Sequence, residues 1–170
     1  IINKIPLEEE ELACLKAVKK GAKNYFSSQL FLARFYCQQR MRPHGQSILK
    51  VLGRNPRNRF RPYRAMQMGI EFGRCKAYND AVRFLKYAEQ RANLFSTSDR
   101  HQNKKSLYQA MATIYEQRYY RTKNTIDLTR ALKSTQRLSE IIGSSGRGYG
   151  QARKEVSRLK SMIAEKGGLD

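Results

Sequence analysis

The clearest structural pattern in the sequence is AMQMGIEF at residues 65–72, followed by AVRFLKYA at residues 81–88. In each segment, small and large apolar residues recur three and four positions apart, which is typical of one face of an α-helix. Small residues let two helices approach closely, and an aromatic side chain fills the gap beside them. The short connection between the segments favours an antiparallel pair. We therefore predict a helical hairpin here.

The same pattern occurs twice more along the chain. QLFLARFY at residues 29–36 precedes GQSILKVL at 45–52, and YQAMATIY at 108–115 precedes ALKSTQRL at 131–138. In the first two copies, the second segment begins nine residues after the last aromatic of the first segment. In the third copy this distance is 16 residues, so we expect about seven extra residues in its turn. The chain is therefore predicted to contain three hairpins.

This pattern resembles the tetratricopeptide repeat, a helical hairpin with a period of about 34 residues. The resemblance implies an all-α fold in which antiparallel hairpins stack as a short right-handed superhelix, within a single domain over residues 1–170. The alternative is an irregular helical bundle whose small residues have this spacing by chance. The predicted boundaries are repeats at about 24–57, 62–95 and 103–142, flanking helices at about 6–22 and 151–166, and a linker at about 143–150.

The resemblance also implies a function, because such repeats mostly bind peptides or build assemblies. The expected groove residues are Leu30, Arg34, Tyr63, Met66, Ile70, Arg74, Gln109 and Gln117, with Ser27, Ser106 and Thr113 as further candidates. Chaperone-binding members of the family hold a C-terminal carboxylate with a Lys/Asn clamp. That clamp is absent from these positions, so a chaperone-tail adaptor is not expected.

The charge of the chain indicates the kind of partner. Lys and Arg number 34 against 14 Asp and Glu, a net charge of +20. Such a charge favours nucleic acid, an anionic membrane surface or an acidic protein segment. No helix with a bulky aromatic apolar face suggests insertion into a membrane, so membrane contact is not expected.

The densest basic stretch is RNPRNRFRPYR at residues 54–64, with five Arg and no acidic residue. Two interpretations stay open. The arginines bind a polyanion while Phe60 and Tyr63 stack on unpaired bases, or the stretch is a solvated connection whose aromatics pack on the core. A second basic set, spaced three and four apart on one helix face, is either a further contact or an ordinary solvated face. The polyanion candidates are Arg54, Arg57, Arg59, Phe60, Arg61, Arg64, Arg130, Lys133 and Arg137.

Signatures of catalysis and metal binding are missing. Neither of the two histidines has a Cys or carboxylate at ligand spacing, and nothing resembles a nucleophile with its base. We expect no enzyme, cofactor, metal or small-molecule substrate. Cys14, Cys37 and Cys75 are predicted to be buried thiols in a reducing intracellular compartment, either cytoplasm or organelle matrix.

Two functions remain. The first is a non-catalytic scaffold or adaptor subunit that binds a protein subunit or peptide in its groove and an acidic partner through the basic stretch. The alternative is an RNA-binding structural subunit of a ribonucleoprotein, such as an organellar ribosome. In that case the arginines of residues 54–64 would meet backbone phosphates.

Overall fold

The computed structural model describes residues 9–144 and 146–166, and every regular element in them is helical. The all-α prediction is therefore confirmed for this part of the chain. The elements are α1 (Glu9–Ala17), α2 (Tyr25–Gln38), α3 (Arg42–Arg54), α4 (Pro56–Phe60), α5 (Pro62–Arg74), α6 (Tyr78–Gln90), a 3₁₀ turn (Ala92–Leu94), α7 (Arg100–Thr122), α8 (Thr125–Ile142) and α9 (Tyr149–Glu165).

Helix α4 lies where the sequence predicted only a connection. Pro56 and Pro62 stand in the first turns of α4 and α5, where their missing N–H groups cost nothing. The Asn55 side chain caps α4 by accepting a hydrogen bond of 3.0 Å from the backbone N–H of Arg57. A cap and a proline therefore suffice to fold this short segment into five helical residues.

The core forms where successive helices pack as pairs: α2 with α3, α5 with α6, and α7 with α8. Gly69 shows why the small positions matter. A Cβ atom there would lie 2.6 Å from Cγ of Leu85, so only glycine allows α5 to approach α6 this closely. The Phe72 and Phe84 rings stack beside this contact with centroids 5.4 Å apart. The second predicted hairpin thus packs through the residues that predicted it.

The third hairpin differs from the expectation of a long turn. Helix α7 continues seven residues past Tyr115, whereas α5 continues only two past Phe72. Helix α8 begins six residues before Ala131, whereas α6 begins three before Ala81. The turn itself contains only Lys123 and Asn124 between the two helices. The extra residues therefore lengthen both helices, because the longer hairpin keeps its backbone hydrogen bonds within helices.

The flanking segments also depart from their predicted bounds. Helix α1 ends at Ala17 rather than near residue 22, and Pro6, Leu7 and Glu8 lie outside the described residues. Helix α9 begins at Tyr149, inside the predicted linker, and packs on α8.

The cysteine prediction is wrong in two respects. Cys37 and Cys75 are buried as predicted, but they form a disulfide with Cα atoms 5.0 Å apart, which joins the ends of α2 and α5. Cys14 is the free thiol, and it is exposed. Because disulfides persist in oxidising environments, this bond does not support the predicted reducing compartment. Within the described residues, no helix has the length and apolar composition needed to cross a membrane.

Candidate binding surfaces

A groove of about 1080 Å³ runs between the C-terminal end of α2, the C-terminal end of α5 and the middle of α7. It brings together five of the eight predicted groove residues and two of the further candidates. These residues are Arg34, Ile70, Arg74, Gln109, Gln117, Ser106 and Thr113. Three helices that are distant in sequence therefore contribute to one surface.

The other predicted groove residues lie elsewhere. Leu30 and Met66 are buried in the core, with exposed fractions of 5% and 3%. Tyr63 is exposed outside the groove, and its hydroxyl accepts a hydrogen bond of 2.9 Å from Nε2 of Gln67. Ser27 is exposed near the start of α2. The helical period predicted one common face, but Leu30 and Met66 lie on the buried sides of α2 and α5 instead.

A buried carboxylate organises the groove. Glu71 is only 1% exposed, and its Oε1 accepts hydrogen bonds from Nε and Nη2 of Arg34 at 2.9 and 2.6 Å and from Nη1 of Arg74. Its Oε2 is buried without a hydrogen-bond partner. Charge-assisted bonds of this kind fix the two guanidinium groups in place. The sequence pattern did not indicate Glu71 as part of the groove, because an acidic residue within an apolar helix face does not reveal which side chains it will pair with.

Three further cations line the groove, and they too were missed. Arg40 and Lys76 occupy left-handed turns with φ of 65° and 58°, directly after α2 and α5, and Arg42 begins α3. Arg40 and Lys76 are 36 residues apart, like Ala33 and Gly69 of the repeat pattern. That equivalence is the one sequence signal that would have found them. Of the residues that line the groove, every charged one is basic.

Helix α4 lies at the centre of the densest basic stretch, which begins at the end of α3 and continues into α5. Arg54, Arg57 and Arg61 are exposed, and so are Phe60 and Tyr63, at 58% and 50%. The interpretation in which these aromatics pack on the core is therefore wrong. The α4 surface, defined as Arg57, Phe60, Arg61 and Tyr63, offers arginines and aromatic rings to solvent together.

Arg64 and Arg91 hold aromatic rings at the edge of this surface. The Arg91 guanidinium lies 5.1 Å from the Phe60 ring centroid. The Arg64 guanidinium lies 4.7 Å from the Phe26 ring, and its Nη1 donates to Oδ1 of Asn58 at 3.0 Å. Desolvation by burial, with repulsion from Arg61, lowers the pKa of Arg64 from its usual value. Arg64 is thus engaged within the fold rather than offered to a ligand.

The second basic set on α8 is largely neutralised. Arg137 pairs with Glu89, and its Nη1 donates to the Tyr108 hydroxyl at 3.3 Å; this hydrogen bond is the main reason that the pKa of Arg137 is raised. Arg130 lies 3.7 Å from a carboxylate oxygen of the buried Asp127. Lys133 is exposed. The set shares a helix face as predicted, yet two of its three charges face an acid.

Comparisons with known proteins find no matching family model, no matching curated protein and no matching solved structure. Within residues 9–144 and 146–166, no three His, Cys, Asp or Glu side chains are grouped to hold a metal ion. The assignment of function therefore depends on the geometry and charge of the two surfaces.

Proposed function

We propose that the chain is a non-catalytic scaffold or adaptor subunit, built like a tetratricopeptide repeat protein, that binds an acidic segment of a partner protein in its groove. Two features support the repeat architecture. Successive hairpins pack on one another through α2 with α5 and α6 with α7. The small and large positions of the motif at 65–72 and 81–88 are buried.

The observation that carries the proposal is the charge of the groove lining. Five cations from three helices and two turns line it: Arg34, Arg40, Arg42, Arg74 and Lys76. No carboxylate among the described residues lines the groove, and the buried Glu71 pairs with Arg34 and Arg74. Amide and hydroxyl side chains of α7 supply hydrogen-bonding groups along the opposite wall. An extended acidic segment fits this combination, because its carboxylates meet the cations while its backbone meets the amides.

The test is a titration with a fluorescently labelled ten-residue glutamate-rich peptide. Arg40→Gln/Lys76→Gln removes two exposed rim charges outside the core. We expect binding to weaken about tenfold, which corresponds to about 1.4 kcal/mol. Lys154→Gln/Lys160→Gln on α9 removes the same charge from exposed positions and serves as the matched control. Equal affinities of the two variants would contradict the proposal.

RNA binding is the second candidate, and the exposed aromatics of the α4 surface favour it. Stacking on Phe60 needs an accessible ring, and 58% of Phe60 is exposed. A mixed-sequence RNA should bind through this surface with an affinity that falls about 100-fold between 50 and 200 mM salt if about five phosphates are contacted. Arg57→Gln/Arg61→Gln should weaken it. Binding that is insensitive to both salt and substitution would contradict this function.

A further inference from the structure

A second basic cavity, of about 650 Å³, lies between α3, α4, α5 and α6, and its lining shares no residue with that of the groove. We call it the cleft. Its cations are Lys50 and Arg54 from α3, Arg59 from α4 and Arg83 from α6. Lys50, Arg54 and Arg59 lie within ten residues of one another in the sequence, and the packing of α6 adds Arg83 to them.

The charges of the cleft are mostly uncompensated. Arg83 donates to Oδ1 of Asp80 at 2.6 Å, and Asp80 is the one carboxylate in the lining. Lys50 and Arg54 stand one helical turn apart and are exposed. Nε of Arg59 is buried and has no hydrogen-bond partner among the described residues. Three of the four cations in the lining therefore have no ion pair among the described residues, and an anion in the cleft would compensate their charge.

Aromatic rings form the apolar side of the cleft. Tyr87 is half-buried in the lining, and its ring meets Phe84 edge-on with centroids 5.8 Å apart. Gly53 allows α3 to approach the same ring, since a Cβ there would lie 2.8 Å from Cζ of Phe84. The cleft therefore combines cations with a fixed aromatic face.

We propose that the cleft binds the backbone phosphates of a single RNA strand, with Tyr87 as the stacking surface for a base. Arginine matches the paired oxygens of a phosphate, and Arg54, Arg59 and Arg83 line the cleft. Stacking on an aromatic ring is the contact that a nucleotide makes and an acidic side chain does not. The volume lies within the range of ligand sites in proteins. The inference rests on the second candidate function and extends its RNA site from the α4 surface into the cleft, to which α4 contributes Arg59.

The experiment measures the affinity of the full chain for a labelled mixed-sequence 12-nucleotide RNA between 50 and 300 mM salt. Lys50→Gln/Arg54→Gln/Arg59→Gln should bind at least tenfold more weakly. Its slope of log K against log salt should be shallower by about two, because each lost phosphate contact removes about 0.7. Lys154→Gln/Lys160→Gln/Lys166→Gln removes the same charge on and beyond α9 and should keep the parent slope.

Two more variants separate binding from folding. Lys50→Gln/Arg54→Gln changes only exposed side chains, so its fold is preserved, and it should lower the slope by about 1.4. Tyr87→Leu keeps an apolar side chain in the wall but removes the ring. It should weaken binding about fivefold or more with an unchanged slope, because stacking carries no charge.

Each outcome decides between the proposals. If the parent does not bind RNA, the second candidate function and the cleft are both contradicted. If the parent binds but the cleft variants match the α9 control, the cleft is contradicted and the α4 surface remains as the RNA site. If a glutamate-rich peptide displaces the RNA from the cleft and Tyr87→Leu has no effect, the occupant is an acidic protein segment and the inference is overturned.

Discussion

The groove and the cleft are both basic, but they hold their cations differently. In the groove, Glu71 fixes Arg34 and Arg74 through hydrogen bonds from a fully buried position. In the cleft, Lys50 and Arg54 have no ion-pair partner among the described residues. A cation that pairs with a carboxylate of the protein is held in a fixed position. An unpaired cation adds net positive charge that attracts an anionic ligand. We therefore expect Arg34 and Arg74 to set the shape of the groove, whereas Lys50 and Arg54 contribute to the salt dependence of ligand binding at the cleft.

The largest expected effect is on the buried carboxylate of the groove. Arg34→Ala/Arg74→Ala removes every hydrogen-bond donor that Glu71 has and leaves an uncompensated buried charge. The free energy of unfolding should fall by about 3–5 kcal/mol, measured by urea denaturation. Lys50→Gln/Arg54→Gln in the cleft should change it by less than about 0.5 kcal/mol.

A third substitution tests the cause of that loss. Adding Glu71→Gln to the double variant replaces the buried charge with a neutral amide, and about 1–3 kcal/mol should return. If the double variant is as stable as the parent, or if Glu71→Gln makes it still less stable, Glu71 does not depend on the two arginines as described.

The next-largest effect on stability is expected from removal of the disulfide. The bond allows a comparison of the two sites, because Cys37 lines the groove and no cysteine is among the described residues that line the cleft. Cys37→Ala/Cys75→Ala should lower the free energy of unfolding by about 2–4 kcal/mol, since the bond closes a loop between residues 38 apart. Peptide affinity should fall more than RNA affinity. The exposed Cys14→Ala is the control. A parent protein whose denaturation is the same with and without reductant would rule out the bond.

Alanine substitutions of one glycine in each site compare how tightly the helices pack at the groove and at the cleft. A Cβ at Gly53 would lie 2.8 Å from Cζ of the Phe84 ring, and one at Gly73 would lie 2.7 Å from Cδ1 and 2.9 Å from Cγ1 of the buried Ile114. Gly53→Ala should therefore destabilise the protein by about 1–2 kcal/mol. Gly73→Ala should cost a similar amount, because Cγ1 of a β-branched side chain cannot move away without a change of its stiff χ1 angle.

Gly150→Ala is the reference for this pair, since nothing lies within 4 Å of its Cβ position. It should raise the melting temperature slightly. If Gly53→Ala and Gly150→Ala have the same effect in thermal denaturation, the close approach of α3 to Phe84 is not tight.

The smallest effect is at α9, outside both sites. A hydrogen bond from Arg158 lowers the pKa of Glu155, against the effect of burial. The contribution to stability is therefore present above the unfolded pKa and is lost as the pH falls through the lower folded value. Because the pair is partly exposed, we expect at most about 1 kcal/mol between the parent and Glu155→Gln at pH 6. The difference should vanish near pH 2, and a difference that grows on acidification would contradict the pairing.

The sequence predicted the hairpins because their small positions cannot be changed without moving a helix. Gly69 is the clearest example, since its contact with Leu85 requires the absence of a Cβ. It did not predict α4, because a helix of five residues has no hydrophobic period to detect. It also misplaced the extra residues of the third hairpin, since a longer helix and a longer turn have the same spacing.

The sites were predicted less completely than the fold. Arg34, Ile70 and Arg74 were found because they share a helical face with the repeat motif. Arg40 and Lys76 were not, since their position depends on left-handed turns. The cleft was not predicted as a site, because Lys50 and Arg83 meet Arg59 only through the packing of three helices. Which side chains come together in one cavity depends on tertiary structure rather than on a local sequence pattern.

The most direct test of two separate binding sites is hydrogen–deuterium exchange with each ligand in turn. A glutamate-rich peptide should protect the ends of α2 and α5 and the middle of α7. RNA should instead protect residues 50–60 and α6 near Arg83. Protection of the same segments by both ligands, or of neither set by either, would contradict the division of the basic surface into a groove and a cleft.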